Sequence, residues 1–402
     1  MKKVFLTTIA LLSIASASVF GMYGVNSGDW IGFLTHGNQF RARVNQLGFT
    51  LGNDTIKGTF GFFNNNRGVW GSMLTNATDT TTTGAPGDGL FYDFTPTISM
   101  GLAYTSSLIS VGVGYNATIG PRWTKYNGKT EGKKTEAVVH TPVLVLNAMD
   151  NAFRMAIPIQ VVNLTDKFEG AIGSVTAVSL DAQFRYYTGL DFLPQIRLYI
   201  KYGNYGMQFS GGGDKFKQTF AESFGFDFRL YFGSMVEEVA IQPIVKLAYN
   251  GALGKQHSNT KVTALGSLND AAEVPGNFSS ILDGAETGSL STYYGTNAAG
   301  WKKGAWDLTL APALGITANS DIVSLYVEPS LGLTITQPGS ATDNKVKEIY
   351  SLYWGAYAEI YITPIKNLEW YFEADVSRAT APAQPTVNLA ASTGITWYLP
   401  AL

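Results

Sequence analysis

Three histidines and no cysteine leave this 402-residue chain few routes to covalent or metal chemistry. His36, His140 and His257 lie far apart, none stands in an H-E-x-x-H pair, and no G-x-S-x-G elbow occurs. A zinc site would need a histidine–carboxylate cluster that the spacing does not provide. The run Gly128-Lys129-Thr130-Glu131-Gly132-Lys133-Lys134-Thr135 has the composition of a phosphate-binding loop. Its glycines stand one residue too close, and no strand feeds a helix there. We therefore expect no catalytic residue, no metal and no cofactor.

The informative polar residues are charges that alternate with apolar side chains. Basic ones fall on early and middle segments: Arg41, Arg43, Arg185, Arg197, Lys201, Arg229 and Lys246. Carboxylates fall on late ones: Glu328, Glu359, Glu369, Glu373 and Asp375. On opposite walls of a watery enclosure such a split would set a transverse field able to orient polar solutes. The plainer alternative is that these charges pair locally across neighbouring strands. Without a register the sequence does not separate the two.

These charges must be positioned by strands. The clearest is Thr219 to Gly233, TFAESFGFDFRLYFG, in which Phe220, Phe224, Phe226, Phe228, Leu230 and Phe232 share one face. Asp227 and Arg229 share the other. A period of two marks a strand with different environments on its two sides, whereas a helix would scatter the phenylalanines. Glu222, on the aromatic face, is the residue that fits worst and belongs near a membrane boundary if that face meets lipid. Similar runs of 11 to 17 residues recur along the chain, long against a mode of about 5–6 in globular proteins. Pro96, Pro142, Pro158, Pro243, Pro312 and Pro329 fall within these runs and argue against central strands.

Connections between the runs sort into two kinds. Short turns fall at 105–107, 148–151, 189–192, 233–238, 319–321 and 364–367. Longer linkers fall at 64–90, 121–136, 164–171, 210–216, 251–304, 337–346 and 379–385. That alternation predicts a transmembrane antiparallel β-barrel of about 14 to 16 strands, with short periplasmic turns and long extracellular loops. The phenylalanine face of 219–233 then meets lipid, and the lumen is lined by Asp227 and the charges above. Asp29 to His36 reads either as a short capped helix or as a first strand, and strand parity favours the strand. The apolar face also slips by one residue near Asn45-Gln46, which suggests a bulge.

Composition agrees. Charged residues make up 14% of the chain, against about 25% in soluble domains. Mean hydropathy is only +0.05. The formal charge of -2 carries no basic field for nucleic acid. Lys2, Lys3 and the apolar run Val4 to Ile14 form an export signal, with cleavage after Ala17 or between Gly21 and Met22. This divides the chain into a signal peptide, 1–21, and a barrel, 22–402.

The segment MYGVNSGDWIGFLTHGNQFRARVNQLGFTLGNDTIKGTFGF, Met22 to Phe62, resembles the variable surface protein family of intestinal spirochaetes, as does the signal before it. The resemblance implies mature protein beginning at Met22, an abundant outer-membrane surface antigen, and no catalytic residues to carry over. Its partners would be outer-membrane lipid and host antibody or surface contacts through the long loops, with a homo-oligomer left open. The charged inner faces add a porin-like diffusion channel. The alternatives are a dedicated general porin, a barrel-type outer-membrane enzyme using His140, and a soluble periplasmic all-β binding protein. Protease added to intact cells should cut within 64–89 or 251–304. Cuts confined to the short turns would invert the topology.

Overall fold

The computed structural model describes residues 30–43, 46–64, 96–125, 132–168, 171–211, 214–233, 235–236, 239–253, 255–257, 301–337, 340, 346–378 and 387–399. The signal with Gly21 and Met22, and most of the predicted loops 64–89 and 251–304, lie outside them.

The wall is built from β1 (Gln39–Arg43), β2 (Gln46–Gly52), β3 (Ile56–Asn64), β4 (Pro96–Tyr104), β5 (Ile109–Lys125), β6 (Gly132–Ala148), β7 (Phe153–Phe168) and β8 (Ala171–Tyr187). It continues through β9 (Gln195–Gly211), β10 (Asp214–Tyr231), β11 (Val239–Ala252), β12 (Trp306–Asn319), β13 (Val323–Gln337), β14 (Ile349–Ile365), β15 (Leu368–Arg378) and β16 (Val387–Leu399). Each pairs antiparallel with its neighbour in sequence, and β1 pairs with β16 (Phe40 opposite Leu399, Arg41 opposite Tyr398, Ala42 opposite Trp397). The sheet therefore closes as a barrel of sixteen strands. Met235–Val236 is a two-residue extension of the β10–β11 hairpin, and Lys255–His257 pairs with Trp301–Lys303 as a separate ribbon.

Hydropathy is inverted across the wall. On β5 Val111 and Val113 are exposed to the outside, while Ser110, Gly112, Gly114 and Asn116 between them are buried. On β6 His140, Pro142 and Leu144 are exposed, and Thr141, Val143, Val145 and Asn147 are buried. The exposed outer surface includes Leu102, Leu310, Leu331, Leu352, Leu389 and Ile395, whereas Ser99, Gln160, Asp181, Gln195, Thr334 and Thr396 are buried. Polar-in and apolar-out is the arrangement of a wall that faces lipid. Aromatic rings stack across strands on the outer face, Phe40–Phe49–Phe60 and Phe226–Tyr249–Trp306, with centroids 5.8 to 6.5 Å apart.

Three expectations need correction. Trp30–Gly32 is a 3-10 turn and not a strand. The sixteenth strand comes instead from the predicted bulge: the chain reverses between Arg43 and Gln46, making β1 and β2 a hairpin (Arg43 opposite Gln46, Gln39 opposite Thr50). A hairpin and a bulge leave the same one-residue slip in the pattern, since both change which parity faces inward. Finally, strands run through much of the predicted linkers 121–136, 164–171 and 210–216, so that β5 to β10 reach 16 to 18 residues. About 9–11 tilted residues cross a bilayer. Over the predicted linkers themselves the sequence is rich in Lys, Thr, Gly and Asp, and the apolar period fades.

The prolines lie within strands of the closed wall, Pro96 as the first residue of β4. The ladder skips around several of them: His140 opposite Val161 is followed by Val143 opposite Pro158, and Leu310 opposite Leu333 by Ala313 opposite Ser330. Local interruption removes the demand for the missing N–H. Beside the skipped ladder at Pro312, a Cβ on Gly332 would lie 2.0 Å from the Leu310 carbonyl oxygen. Gly332→Ala should therefore destabilise the barrel by about 1–3 kcal/mol, the usual range for overpacking. Urea unfolding in detergent, followed by the heat-dependent gel mobility of barrels, measures this.

Candidate functional site

The candidate site is the lumen, and its first occupant is the chain itself. Before β1, residues 30–38 turn back inside the barrel at the short-turn end. Trp30, Ile31, Phe33 and Leu34 are 5% exposed or less and pack with Ala103, Val143, Val145 and Ala156 of β4, β6 and β7. Three glycines make the hollow: a Cβ at Gly101, Gly112 or Gly114 would fall 2.3 to 3.2 Å from Trp30 or Leu34. Trp30 meets Phe33 edge-on, centroids 5.6 Å apart. The plug's carbonyls are held by Lys57, whose Nζ donates to the oxygens of Leu34 (3.0 Å) and His36 (2.6 Å). Arg154 donates to Thr35 Oγ1 at 3.3 Å. Asn38 exchanges two hydrogen bonds with the backbone of Gly52, 2.8 and 3.1 Å, and so ties the plug to β2.

Beyond the plug, most of the charges proposed for the inner wall lie against partners on their own or neighbouring strands. Asp227 and Arg229 form a bidentate pair, 2.9 and 2.6 Å, and Arg229 lies over Tyr199. Arg197 lies over Tyr231 and donates to Gln195 Oε1 at 2.9 Å. Lys201 stands opposite Asp181, and Lys246 is bridged to Glu328 from β13. Carboxylates dominate β13 to β15. There Tyr326 donates to Glu328, Tyr357 to Glu359, Tyr361 to Glu373 (3.4 Å) and Tyr398 to Glu369 (2.9 Å). Asp375 stands opposite Tyr357 and is exposed. Tyrosine thus serves both charges, its hydroxyl toward carboxylates and its ring face toward guanidinium groups.

Closure rearranges the early-basic, late-acidic split. Arg41 and Arg43 are early in sequence, yet β1 lies against β16. Arg41 sits over Tyr398, 4.4 Å from the ring centre, and Arg43 over Tyr371 at 3.7 Å, with Glu369 and Glu373 nearby. The remaining basic residues form a separate arc from β8 to β11. Some charges pair locally, and the two arcs of opposite sign that remain are separated by β12 alone and do not stand on opposite walls.

On the outer face, Phe224, Phe226, Phe228, Leu230 and Phe232 are half-exposed or exposed, opposite in parity to the buried Tyr231. Phe220 is the extra residue of a bulge between Thr219 and Ala221, and its side chain lies outside the described set. Glu222 accepts a 2.6 Å bond from Tyr202 midway along β10, next to the point where its neighbour β11 ends. His140 faces outward and meets the Tyr115 hydroxyl, away from the plug's His36. Sequence reasoning missed Arg154 and Asp181 because one begins a strand beside a turn and the other is a lone acid. The spacing of Arg154, Arg185 and Arg197 from the short turns was the available signal.

His36 lies in the plug, outside the spanning strands. Burial, and then the positive charges of Arg41, Lys57 and Arg154, push its pKa down from 6.5 to about 4. The released imidazole would bind a proton near 6.5, so stability is full above that pH and falls as pH drops toward 4. The slope approaches about 1.4 kcal/mol per pH unit. His36→Gln should flatten the pH dependence of plug release between those values, as read by protease access to the N-terminal segment. An unchanged profile would contradict it.

A family model described as Serpulina hyodysenteriae variable surface protein matches residues 2–398. No curated protein sequence matches the chain. Among solved structures, a copper transporter, OprC, is 10% identical over 73% of this chain and 44% of its own, with a TM-score of 0.43. CdiB from Escherichia coli is 8% identical over 90% of this chain and 62% of its own, TM-score 0.40. The translocator domain of autotransporter NalP from Neisseria meningitidis is 12% identical over 73% and 89%, TM-score 0.29. The chain spans less than two thirds of the first two, and likeness at these scores carries no argument about its role.

Proposed function

The chain belongs to the Serpulina hyodysenteriae variable surface protein family, and from that membership we propose an abundant surface antigen that doubles as a restricted diffusion channel. It is a β-barrel of the outer membrane, at the cell surface. The observation that carries the channel reading is the inverted wall. Charged groups from at least nine strands share the interior, and a water-filled lumen would solvate those that their neighbours do not satisfy. The acidic arc of β13 to β15 and the basic arc of β8 to β11 would give that water an oriented field. The antigen reading draws on the family and on the long loops that the strand order places at one end.

The plug favours a restricted pore over a dedicated general porin, because part of the cross-section beside β4 to β7 is filled by Trp30 to Leu34. The separation of His36 and His140 speaks for a non-enzymatic protein over a barrel-type enzyme.

Purified, folded protein in a planar bilayer should give stepwise conductance. Trp30→Ala with Phe33→Ala, which empties the plug's apolar anchor, should raise the unit conductance at least twofold. Silent bilayers from folded wild-type protein would remove the channel and leave the antigen.

A further inference from the structure

We propose that five cationic side chains on consecutive strands form a binding track for small multiply charged anions, phosphorylated ones foremost. Arg154 on β7 stands opposite Arg185 on β8, Arg185 opposite Arg197 on β9, Arg197 opposite Arg229 on β10, and Arg229 opposite Lys246 on β11. All five share the inward parity. Adjacent strands lie about 4.8 Å apart, so the row extends roughly 19 Å. A line in register runs perpendicular to the strands, and the strands tilt by about 35–45°. The row therefore climbs obliquely along the lumen and does not ring it at one level.

Like charges directly opposite one another are unfavourable. The wall orients Arg154, Arg197 and Arg229 through aromatic ring faces, which hold a guanidinium without cancelling its charge. Arg154 lies 4.7 Å from the centre of the Tyr187 ring, Arg197 4.4 Å from Tyr231, and Arg229 5.0 Å from Tyr199. A ring face orients a guanidinium flat and leaves its edge donors and its charge available. The hydrogen-bond partners of Arg154 and Arg197 are uncharged: the Asn151 carbonyl, Thr35 and Gln195. Carboxylates do engage the far end, Asp227 on Arg229 and Glu328 on Lys246. The hydrogen bonds of Arg154 and Arg197 thus leave their charge uncancelled, in contrast to the β10–β11 end.

Guanidinium forks match phosphate oxygens two at a time, and neighbouring forks can hold successive groups of one solute. A monovalent anion gains from one fork at a time, so the row discriminates by charge number. The assignment rests on the channel reading to the extent that solute must reach the lumen from one mouth.

Tripolyphosphate is the probe, used on the full chain in two settings. Calorimetric titration of the folded barrel in detergent should show saturable binding that weakens with added salt. Arg185→Gln with Arg197→Gln should weaken it at least tenfold, while Lys366→Gln in the exposed β14–β15 turn leaves it unchanged. In bilayers, tripolyphosphate should reduce the wild-type current more than it reduces that of the double variant. If the double variant loses heat-dependent mobility, Arg185→Gln alone is read the same way. Equal affinity in variant and wild type, or no binding to the folded wild type, overturns the track. Silent bilayers combined with variant-sensitive binding uphold the track and remove the channel. Stepwise currents indifferent to tripolyphosphate, with no calorimetric binding, do the reverse.

Discussion

Everything in this molecule depends on one seam, the pairing of β1 with β16. Lipid offers no hydrogen-bond partner to a backbone N–H or carbonyl, so a sheet can lie in a bilayer only if it has no edge. Phe40 opposite Leu399, Arg41 opposite Tyr398 and Ala42 opposite Trp397 supply that closure. The seam uses a strand of only five residues, Gln39–Arg43, which is completed by its hairpin with Gln46–Gly52. Without the turn between Arg43 and Gln46 the strand number would be odd and the two ends of the sheet would meet in parallel.

Closure also decides what the interior is. Sixteen strands enclose more space than their own inward side chains need fill, and the wall uses that space in two ways. At the short-turn end beside β4 to β7 it is apolar and filled: glycines at 101, 112 and 114 admit the Trp30 ring and Leu34. Elsewhere it is polar, with tyrosines holding guanidinium groups by their faces and carboxylates by their hydroxyls. A buried apolar knot and a charged chamber therefore lie next to each other inside one wall. His36 sits where they meet, neutral among Arg41, Lys57 and Arg154.

The barrel was legible because β-strands in lipid repeat every two residues with opposite polarity on their faces. Val387–Leu399 and Trp306–Asn319 fall within a residue of where that period placed them. Legibility failed where the period carries no information. The β1–β2 hairpin and a bulge produce the same parity slip, so only tertiary pairing distinguishes them. The long-loop ends of β5 to β10 are rich in Lys, Thr and Gly, lose the apolar period and read as loop. Trp30 to Leu34 read equally as helix or strand, since nothing local reveals that the hollow receiving them is built more than seventy residues away. Parity placed the charges on one face of each strand, but their grouping across strands was not legible. Arg41 and Arg43 join the carboxylate strands only once the seam is formed, and Arg154 joins the basic row only once β7 and β8 are in register.

Covalent trapping of the seam tests this account most directly. The chain has no cysteine, so a pair introduced as Ala42→Cys and Trp397→Cys would be the only thiols present. Opposed strand positions lie within disulfide reach. The account predicts efficient oxidative cross-linking of the folded protein, seen as altered mobility of the heat-denatured chain, and little cross-linking when Trp397→Cys is replaced by Leu389→Cys. Absence of the first cross-link in folded protein, or equal yield from both pairs, would contradict the closed barrel on which every other inference stands.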